Sequence, residues 1–324
     1  MQEHDAVATL HARDPERRRL WWAAIKWPMY SVAVMPVLLA AGWCFWAGQQ
    51  VRLLQLLAFL LAAVLLLAWE NLSNDLFDAE TGVDSIAKPH SVVALLGHRR
   101  PVGGLSLLAL LLGLSLIVLI ALRSSPAVLA LVLLCCGLGY IYQGPPWRLG
   151  YRGLGEPLCW LAFGPLATAA ALLALGPAPA EGAGIPWSTA FPLGAGPALA
   201  TTLVLFCSHF HQVDEDAAHG KRSPVVQLGT ERAAALVPWI VALTLALEWT
   251  PVLDGDWPFT VLLSALGLPA AAGLIRLLRS HHNHPARISG SKFLALRFQV
   301  LNGLGMSVGF LLAPLLGLAQ AKSG

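Results

Sequence analysis

Two clusters of carboxylate and amide side chains interrupt an otherwise apolar chain, and their spacing suits a divalent cation. The first is Asn71-Leu-Ser-Asn74-Asp75-Leu-Phe-Asp78-Ala-Glu-Thr-Gly82-Val-Asp84. On a helix, positions 71, 74, 75 and 78 share one face. Two carboxylates in adjacent turns repel each other unless positive charge lies between them. A ligand set made only of oxygen favours Mg²⁺ or Mn²⁺ over zinc. Asn74, Asp75 and Asp78 are therefore candidate metal ligands. Gly82 permits a turn that returns Asp84 toward them.

The second cluster is His209-Phe-His211-Gln212-Val-Asp214-Glu215-Asp216-Ala-Ala-His219-Gly220-Lys221-Arg222. His209, Asp216 and Gly220 repeat the spacing of Asn71, Asp78 and Gly82, and Gln212 falls on Asn74. The match reads as a diverged internal repeat, in which Asp214 and Asp216 add carboxylates to the metal site. Basic residues accompany both clusters. Lys88, Arg148, Lys221 and Arg222 suit the oxygens of a phosphate held by the metal. A stiff, aromatic loop, Tyr140 to Glu156, contains Tyr142, Arg148 and Arg152 and reads as one wall of the site. Gln299 and Asn302 lie three apart in a late apolar run, where they suit an acceptor hydroxyl or a bond between helices. His281, His282 and His284 read as incidental to metal binding.

The elements that position these residues follow from composition. Of 324 residues, 56% are hydrophobic and 12% charged, against about 25% charged in soluble domains. This excludes an ordinary soluble protein, and the net charge of +3 with high apolar content excludes a disordered one. Apolar runs fall at 29–48, 53–73, 104–122, 126–143, 155–175, 193–212, 233–253, 258–278 and 295–318. Their lengths predict nine transmembrane helices, and the absence of period-two alternation excludes a β-barrel. The expected fold is all-α, with runs 1–4 repeated by runs 5–8 and the ninth added. Residues 1–28 read as a polar tail and interfacial anchor, 29–319 as one transmembrane domain, and 320–324 as a tail. The five cysteines show no metal or disulfide pattern.

Nine spans divide the basic residues unequally. Of 21 Lys and Arg, only Arg52, Arg123 and Lys322 fall on the side opposite the N-terminus. The positive-inside rule places the N-terminus and both clusters in the cytosol. Two other classes fit these residues less well. A cation-coupled transporter would hold its acids at the midplane on broken helices, whereas these acids lie at one face of runs that read as unbroken. A CDP-alcohol phosphotransferase would need a motif that opens Asp-Gly and continues through Ala-Arg to two further spaced Asp, and no such string occurs.

The clusters resemble the UbiA superfamily of intramembrane prenyltransferases, which carries Asp-rich motifs on the second and sixth of nine helices. The resemblance lies in Asn74-Asp75-Leu-Phe-Asp78 with Asn71 before and Gly82-Val-Asp84 after, and in the second cluster through Gly220-Lys221-Arg222-Ser223-Pro224. Lys88-Pro-His-Ser-Val-Val, Pro145-Pro-Trp-Arg148, Arg152-Gly-Leu-Gly-Glu156 and Trp21-Trp-Ala-Ala-Ile-Lys26 are similar to the branch that serves phylloquinone synthesis in cyanobacteria and plastids. One departure is Gln212 where many relatives have Asp, with His209 in place of Asn.

The resemblance implies an Mg²⁺-dependent enzyme in a cyanobacterial plasma or thylakoid membrane, acting on lipid-embedded substrates and not on nucleic acid. Those substrates are a prenyl diphosphate, with phytyl the expected chain, and 1,4-dihydroxy-2-naphthoate, joined with loss of CO₂. A chlorophyll synthase-like activity is the alternative. On this reading Asn71, Asp78 and Asp84 are catalytic candidates, and Lys88, Arg148, Arg152, Lys221 and Arg222 hold the diphosphate. Tyr142, His209, Gln212 and Asn302 touch the acceptor or the prenyl chain, and Asn74, Asp75, Asp78, Asp214 and Asp216 hold the metal.

Overall fold

The computed structural model describes residues 15–81, 91–177 and 184–318. Gly82, Asp84 and Lys88 lie outside them. Among the described residues nine helices are long and apolar enough to cross a membrane: Arg18–Trp46, Leu53–Glu80, Arg99–Arg123, Pro126–Gln143, Gly155–Leu175, Trp187–Ser208, Thr230–Leu253, Phe259–His281 and Pro285–Leu315. No strand occurs among them.

Burial varies by span as a lipid-immersed bundle requires. The sixth span is packed on most sides, while the third presents Leu107, Leu108, Leu111, Leu112 and Leu119 outward. Hydrocarbon lipid can cover such a face at no hydrophobic cost. The second and third spans pack along their length and are tied near one end by polar bonds. The Ser73 and Ser106 hydroxyls lie 2.9 Å apart, and Ser106 donates to the Trp69 carbonyl at 3.2 Å. The second helix continues unbroken to Thr81, with Asn71, Asn74, Asp75 and Asp78 on it.

Two spans depart from the unbroken helices expected from sequence. The fifth contains a π-type turn at Ala162–Leu166, with Gly164 at φ −109°, ψ −110°. Pro165 supplies no N–H and crowds the preceding turn, which opens the ladder there. The opening brings Gly164 against the sixth span, where a Cβ would sit 2.6 Å from Ala198 Cβ. The eighth span begins as a 3₁₀ segment, Phe259–Gly267, before turning α-helical.

The ninth span lies directly on that 3₁₀ segment. A Cβ on Gly305 would collide with the Leu263 carbonyl, and one on Gly309 with the Thr260 carbonyl. Backbone cannot move aside as a side chain can. Gly305→Leu is therefore expected to destabilise the bundle by about 3 kcal/mol or more, read as a loss of monodisperse protein after detergent extraction.

A short capped helix follows each motif, at a different distance in sequence. After the first motif comes a short helix, Val92–Leu96, capped by Ser91 and closed by Gly97 at φ 68°. After the second comes Pro224–Leu228, capped by Ser223 and closed by Gly229 at φ 79°. In each, the Ser side chain accepts from the backbone N–H three residues on. Glycine suits both ends because a side chain strains at positive φ.

Candidate active site

The second span builds the site by helical period. Phe59, Ala63, Leu66, Leu67, Glu70, Asn71 and Asn74 recur at spacings of one, three and four and line one cavity of about 740 Å³. The stripe is apolar at its start and polar at its end, and the cavity follows it. Its mouth is lined by Lys26, Asn71, Asn74, Ser208, His211, Gln212 and Lys292. Its depth is lined by Val37, Phe59, Ala63, Val132 and Ala167. The volume falls within the ordinary range for small-molecule pockets, about 300–1,000 Å³.

The aspartates of the first motif stand just beyond the mouth and are buried. Asp75 pairs with Lys26 at 3.2 Å and accepts from the Val92 backbone N–H at 3.0 Å. Asp78 accepts from the Gln143 amide, and the Tyr151 hydroxyl lies 3.5 Å from it. Glu80 pairs with Arg148 at 3.4 Å and lies 3.9 Å from Arg99. The motif is thus clasped by the first span, the Ser91 turn and the loop after the fourth span.

The second motif is not the continuous helix that its matching spacing suggested. The sixth span stops at Ser208, and Asp214 and Asp216 ride a separate short helix, Val213–Ala218. Asp216 is 1% exposed. It meets His209 Nδ1 at 3.1 Å and Lys221 Nζ at 3.3 Å, while His209 Nε2 lies 3.6 Å from Glu156. Burial raises the Asp216 carboxyl, but the His209 hydrogen bond and the Lys221 charge outweigh burial and leave it below the usual carboxylate range. Lys221 also lies over the Tyr151 ring at 5.8 Å from its centre. Tyr151 therefore faces Lys221 with its ring and Asp78 with its hydroxyl, so it links the two motifs.

The structure brings together Asn71, Asn74, Asp75, Asp78, Tyr142, Arg148, His209, Gln212, Asp216 and Lys221 at one end of the bundle. It leaves others outside that group. Asp214, Arg152 and Arg222 are exposed, and what Arg222 contributes is backbone: its N–H donates to the Tyr151 carbonyl at 2.8 Å. Asn302 does not reach the cavity. It is buried and donates to Glu248 at 2.8 Å, so the bond between helices prevails over contact with an acceptor. Gln299 likewise accepts from Ser31 at 3.0 Å.

Several residues in the site escaped the sequence reading. Gln143 and Glu156 flank the aromatic loop, and nothing in their local sequence separates them from ordinary interfacial polar residues. Lys26 read as part of an interfacial anchor, yet it pairs with Asp75 and lines the cavity beside Trp22. Glu70 had a usable signal, since it occupies the same helical face as Asn71 and Asn74.

The donor set fits Mg²⁺ in kind. Asn74, Asp75 and Asp78 offer only oxygen ligands from one helix end. Among the described residues no three His, Cys, Asp or Glu side chains gather closely enough to hold an ion by themselves. Mg²⁺ ordinarily takes one or two carboxylates and completes its shell with water and substrate phosphate, so two aspartates suffice. The Asn71 Nδ2 is buried beside the mouth, and an amide donor placed there suits an anionic ligand.

A bundle of membrane-length helices around a cavity with a polar mouth and an apolar depth is the architecture of an intramembrane enzyme for an amphipathic substrate. The UbiA prenyltransferase family matches residues 33–318, and the chain belongs to that family. It is 39% identical to 2-carboxy-1,4-naphthoquinone phytyltransferase of Synechocystis sp., over 91% of this chain and 94% of that protein. It is also 39% identical to the chloroplastic 2-carboxy-1,4-naphthoquinone phytyltransferase of Arabidopsis thaliana, over 95% of this chain and 81% of that protein. The 1,4-dihydroxy-2-naphthoate octaprenyltransferase of Mycobacterium tuberculosis is 28% identical, over 75% of this chain and 82% of that protein. A UbiA homologue of Archaeoglobus fulgidus has the same fold, with a TM-score of 0.58 over 91% of this chain and 99% of that one. Another structure of a homologue from that organism, with a TM-score of 0.55 over 89% of this chain and 99% of that one, is bound to DMAPP and Mg²⁺. Both are 16% identical to this chain. The protein is thus a prenyltransferase embedded in a membrane.

Proposed function

We propose that this enzyme transfers a phytyl group from its diphosphate to 1,4-dihydroxy-2-naphthoate, with loss of CO₂, as a step toward phylloquinone. The observation that carries the reading is the cavity itself: a long apolar recess whose mouth is lined by the half-buried Lys26 and Lys292 and by the Asn71 and Asn74 amides, beside the buried Asp75 and Asp78. The relatives' names differ in the oxidation state of the acceptor. The dihydroxy form suits the chemistry, because an allylic cation is attacked by an electron-rich ring and a quinone ring is electron-poor.

In the reaction, the bond between the prenyl C1 and the diphosphate oxygen breaks, and its electron pair leaves with the diphosphate. The ring carbon bearing the carboxylate forms a bond to C1. The pair from the carboxylate bond returns to the ring as CO₂ departs, so no external oxidant or reductant is needed. Mg²⁺, once bound, would neutralise charge on the departing diphosphate.

Asn74, Asp75 and Asp78 would hold Mg²⁺, and Asp216 would add a carboxylate from the second motif. Gln143 and Tyr151 hold the Asp78 carboxylate, and Lys26 and the Val92 N–H hold Asp75, so both are placed before substrate arrives. Lys221, Arg148 and the Asn71 amide would contact diphosphate oxygens, which rewards charge as it develops. The apolar depth keeps water from the allylic cation. It also takes up the prenyl tail, whose burial contributes about 0.8 kcal/mol per CH₂.

Residues 29–319 would form the catalytic domain, with residue 26 reaching into it from the anchor. The excess of basic residues at this end supports an N-terminus and a mouth in the cytosol, and the proposed setting is a cyanobacterial plasma or thylakoid membrane. Purified protein supplied with Mg²⁺, phytyl diphosphate and the naphthoate is expected to release CO₂ and form the prenylated naphthalenediol, followed by mass spectrometry. Failure to prenylate the naphthoate, with turnover of a chlorophyllide instead, would overturn this assignment within the family.

A further inference from the structure

We propose that Glu70 accepts a hydrogen bond from a ring hydroxyl of the aromatic acceptor, and so seats the ring against the fourth span beside Tyr142 and Cys159. The proposal rests on the naphthoate reading above and adds the residue that recognises the acceptor.

Glu70 lines the cavity on the same stripe as Asn71 and Asn74. At 1.5 Å per residue it lies about 6 Å deeper than Asn74 and about 12 Å deeper than Asp78. That puts it below the level of the diphosphate, where the prenyl C1 and the attacking ring must meet. The fourth span faces it at Gly139. A Cβ on Gly139 would lie 3.4 Å from the Glu70 carboxyl carbon and 3.6 Å from both its oxygens, so the carboxyl turns its flat face to this glycine.

One turn further along that span, Tyr142 lines the same cavity, and Cys159 of the fifth span lines it too. Tyr142 is seated by small residues in turn: a Cβ on Gly150 or Gly155 would approach its ring edge within 2.6 or 2.7 Å. The result is a flat recess with one carboxylate in it.

Among the described residues no ion pair or hydrogen bond reaches that carboxylate. A carboxylate inside a membrane domain is costly unless something donates to it. A phenolic hydroxyl donates to it, whereas the acceptor's own carboxylate and the diphosphate have no proton to offer. The contact also has a chemical consequence. A hydrogen bond from the hydroxyl to a carboxyl oxygen pushes electron density into the ring, which favours attack on the allylic cation.

The test is a cycle on the full-length protein in detergent. Binding of 1,4-dihydroxy-2-naphthoate, 1-hydroxy-2-naphthoate and 4-hydroxy-2-naphthoate is measured for the wild type, Glu70→Gln and Glu70→Ala, together with KM for phytyl diphosphate. In the wild type, deleting the hydroxyl that faces Glu70 is expected to weaken binding about tenfold or more. In Glu70→Ala the diol and that analogue should bind alike, with KM for phytyl diphosphate unchanged. Glu70→Gln keeps an acceptor oxygen and should fall between, which guards against a folding defect in the alanine variant. Equal cost of each hydroxyl in wild type and variants would overturn the Glu70 assignment, as would a rise confined to KM for the diphosphate. A wild type that binds and prenylates no naphthoate would instead overturn the function proposed above, and this assignment with it.

Discussion

Asp78→Ala is expected to lower prenyl transfer about a thousandfold or more while the protein remains folded. Asp78 sits at the crossing of three elements: the second span, the end of the fourth, which supplies Gln143, and the aromatic loop, which supplies Tyr151. A carboxylate fixed by two donors from other elements pays no reorganisation when charge develops beside it. Alanine removes it and leaves the Gln143 amide without its acceptor, at about 1–3 kcal/mol. The melting temperature should fall, but the bundle, packed mainly by apolar contacts elsewhere, should persist. Two further measurements separate lost chemistry from lost structure. Chelation of divalent cations should silence the wild type, and added Mg²⁺ should restore it. Added Mg²⁺ should not restore Asp78→Ala. Turnover of that variant near the wild-type level would refute the placement of the metal. Asp75→Ala should fail in the same assay, for it also releases Lys26 and the Val92 N–H from their shared partner.

Asp216→Ala is expected to have the largest effect on stability of any single change in the site. Lys221 is 8% exposed and His209 3%, and both turn to this one carboxylate. Removing one member of a buried charged group leaves the other uncompensated, which costs about 3–5 kcal/mol. Asp216→Asn keeps the shape and one acceptor oxygen and should recover part of that loss. The same network predicts a pH dependence. The Asp216 carboxyl is held below its ordinary value by His209 and Lys221 against the opposing effect of burial. A carboxyl depressed in the folded state contributes stability above the unfolded value of about 3.9 and loses it as pH falls toward the folded one. Residues 209–223 should therefore keep their hydrogen-exchange protection at pH 5–6 and lose it below about pH 4. Protection unchanged at pH 3 in the wild type, or unaffected by Asp216→Ala at pH 6, would refute the network.

The two motifs show how unevenly the site was legible. Asn71, Asn74, Asp75 and Asp78 could be placed from spacing alone, because the second span remains helical to Thr81 and a helix converts spacing into geometry. The second motif has the same spacing but not the same structure. Its helix ends at Ser208, and the chain turns before Asp216. Asp214 then faces solvent while Asp216 is buried, a difference that no period predicts. Asn302 illustrates a further limit. A polar residue inside an apolar run signals that a partner exists, and only packing chooses between a ligand and Glu248. Gln143, Glu156 and Lys26 were invisible because each meets its partner across a distance in sequence that no local pattern spans.

The sequence by itself determined the membrane, the number of spans, the all-helical class and the end of the bundle that carries the charge. Those follow from single-residue transfer costs and the helical period, which act locally and add along the chain. The tertiary structure alone decided which charges pair, where the fifth span opens at Gly164, and that an apolar recess runs from the aspartates down past Glu70. These depend on contacts between side chains far apart in sequence. Inside a bilayer such contacts are chosen by close packing and by the need to partner every buried polar group, and neither is encoded by residue type alone.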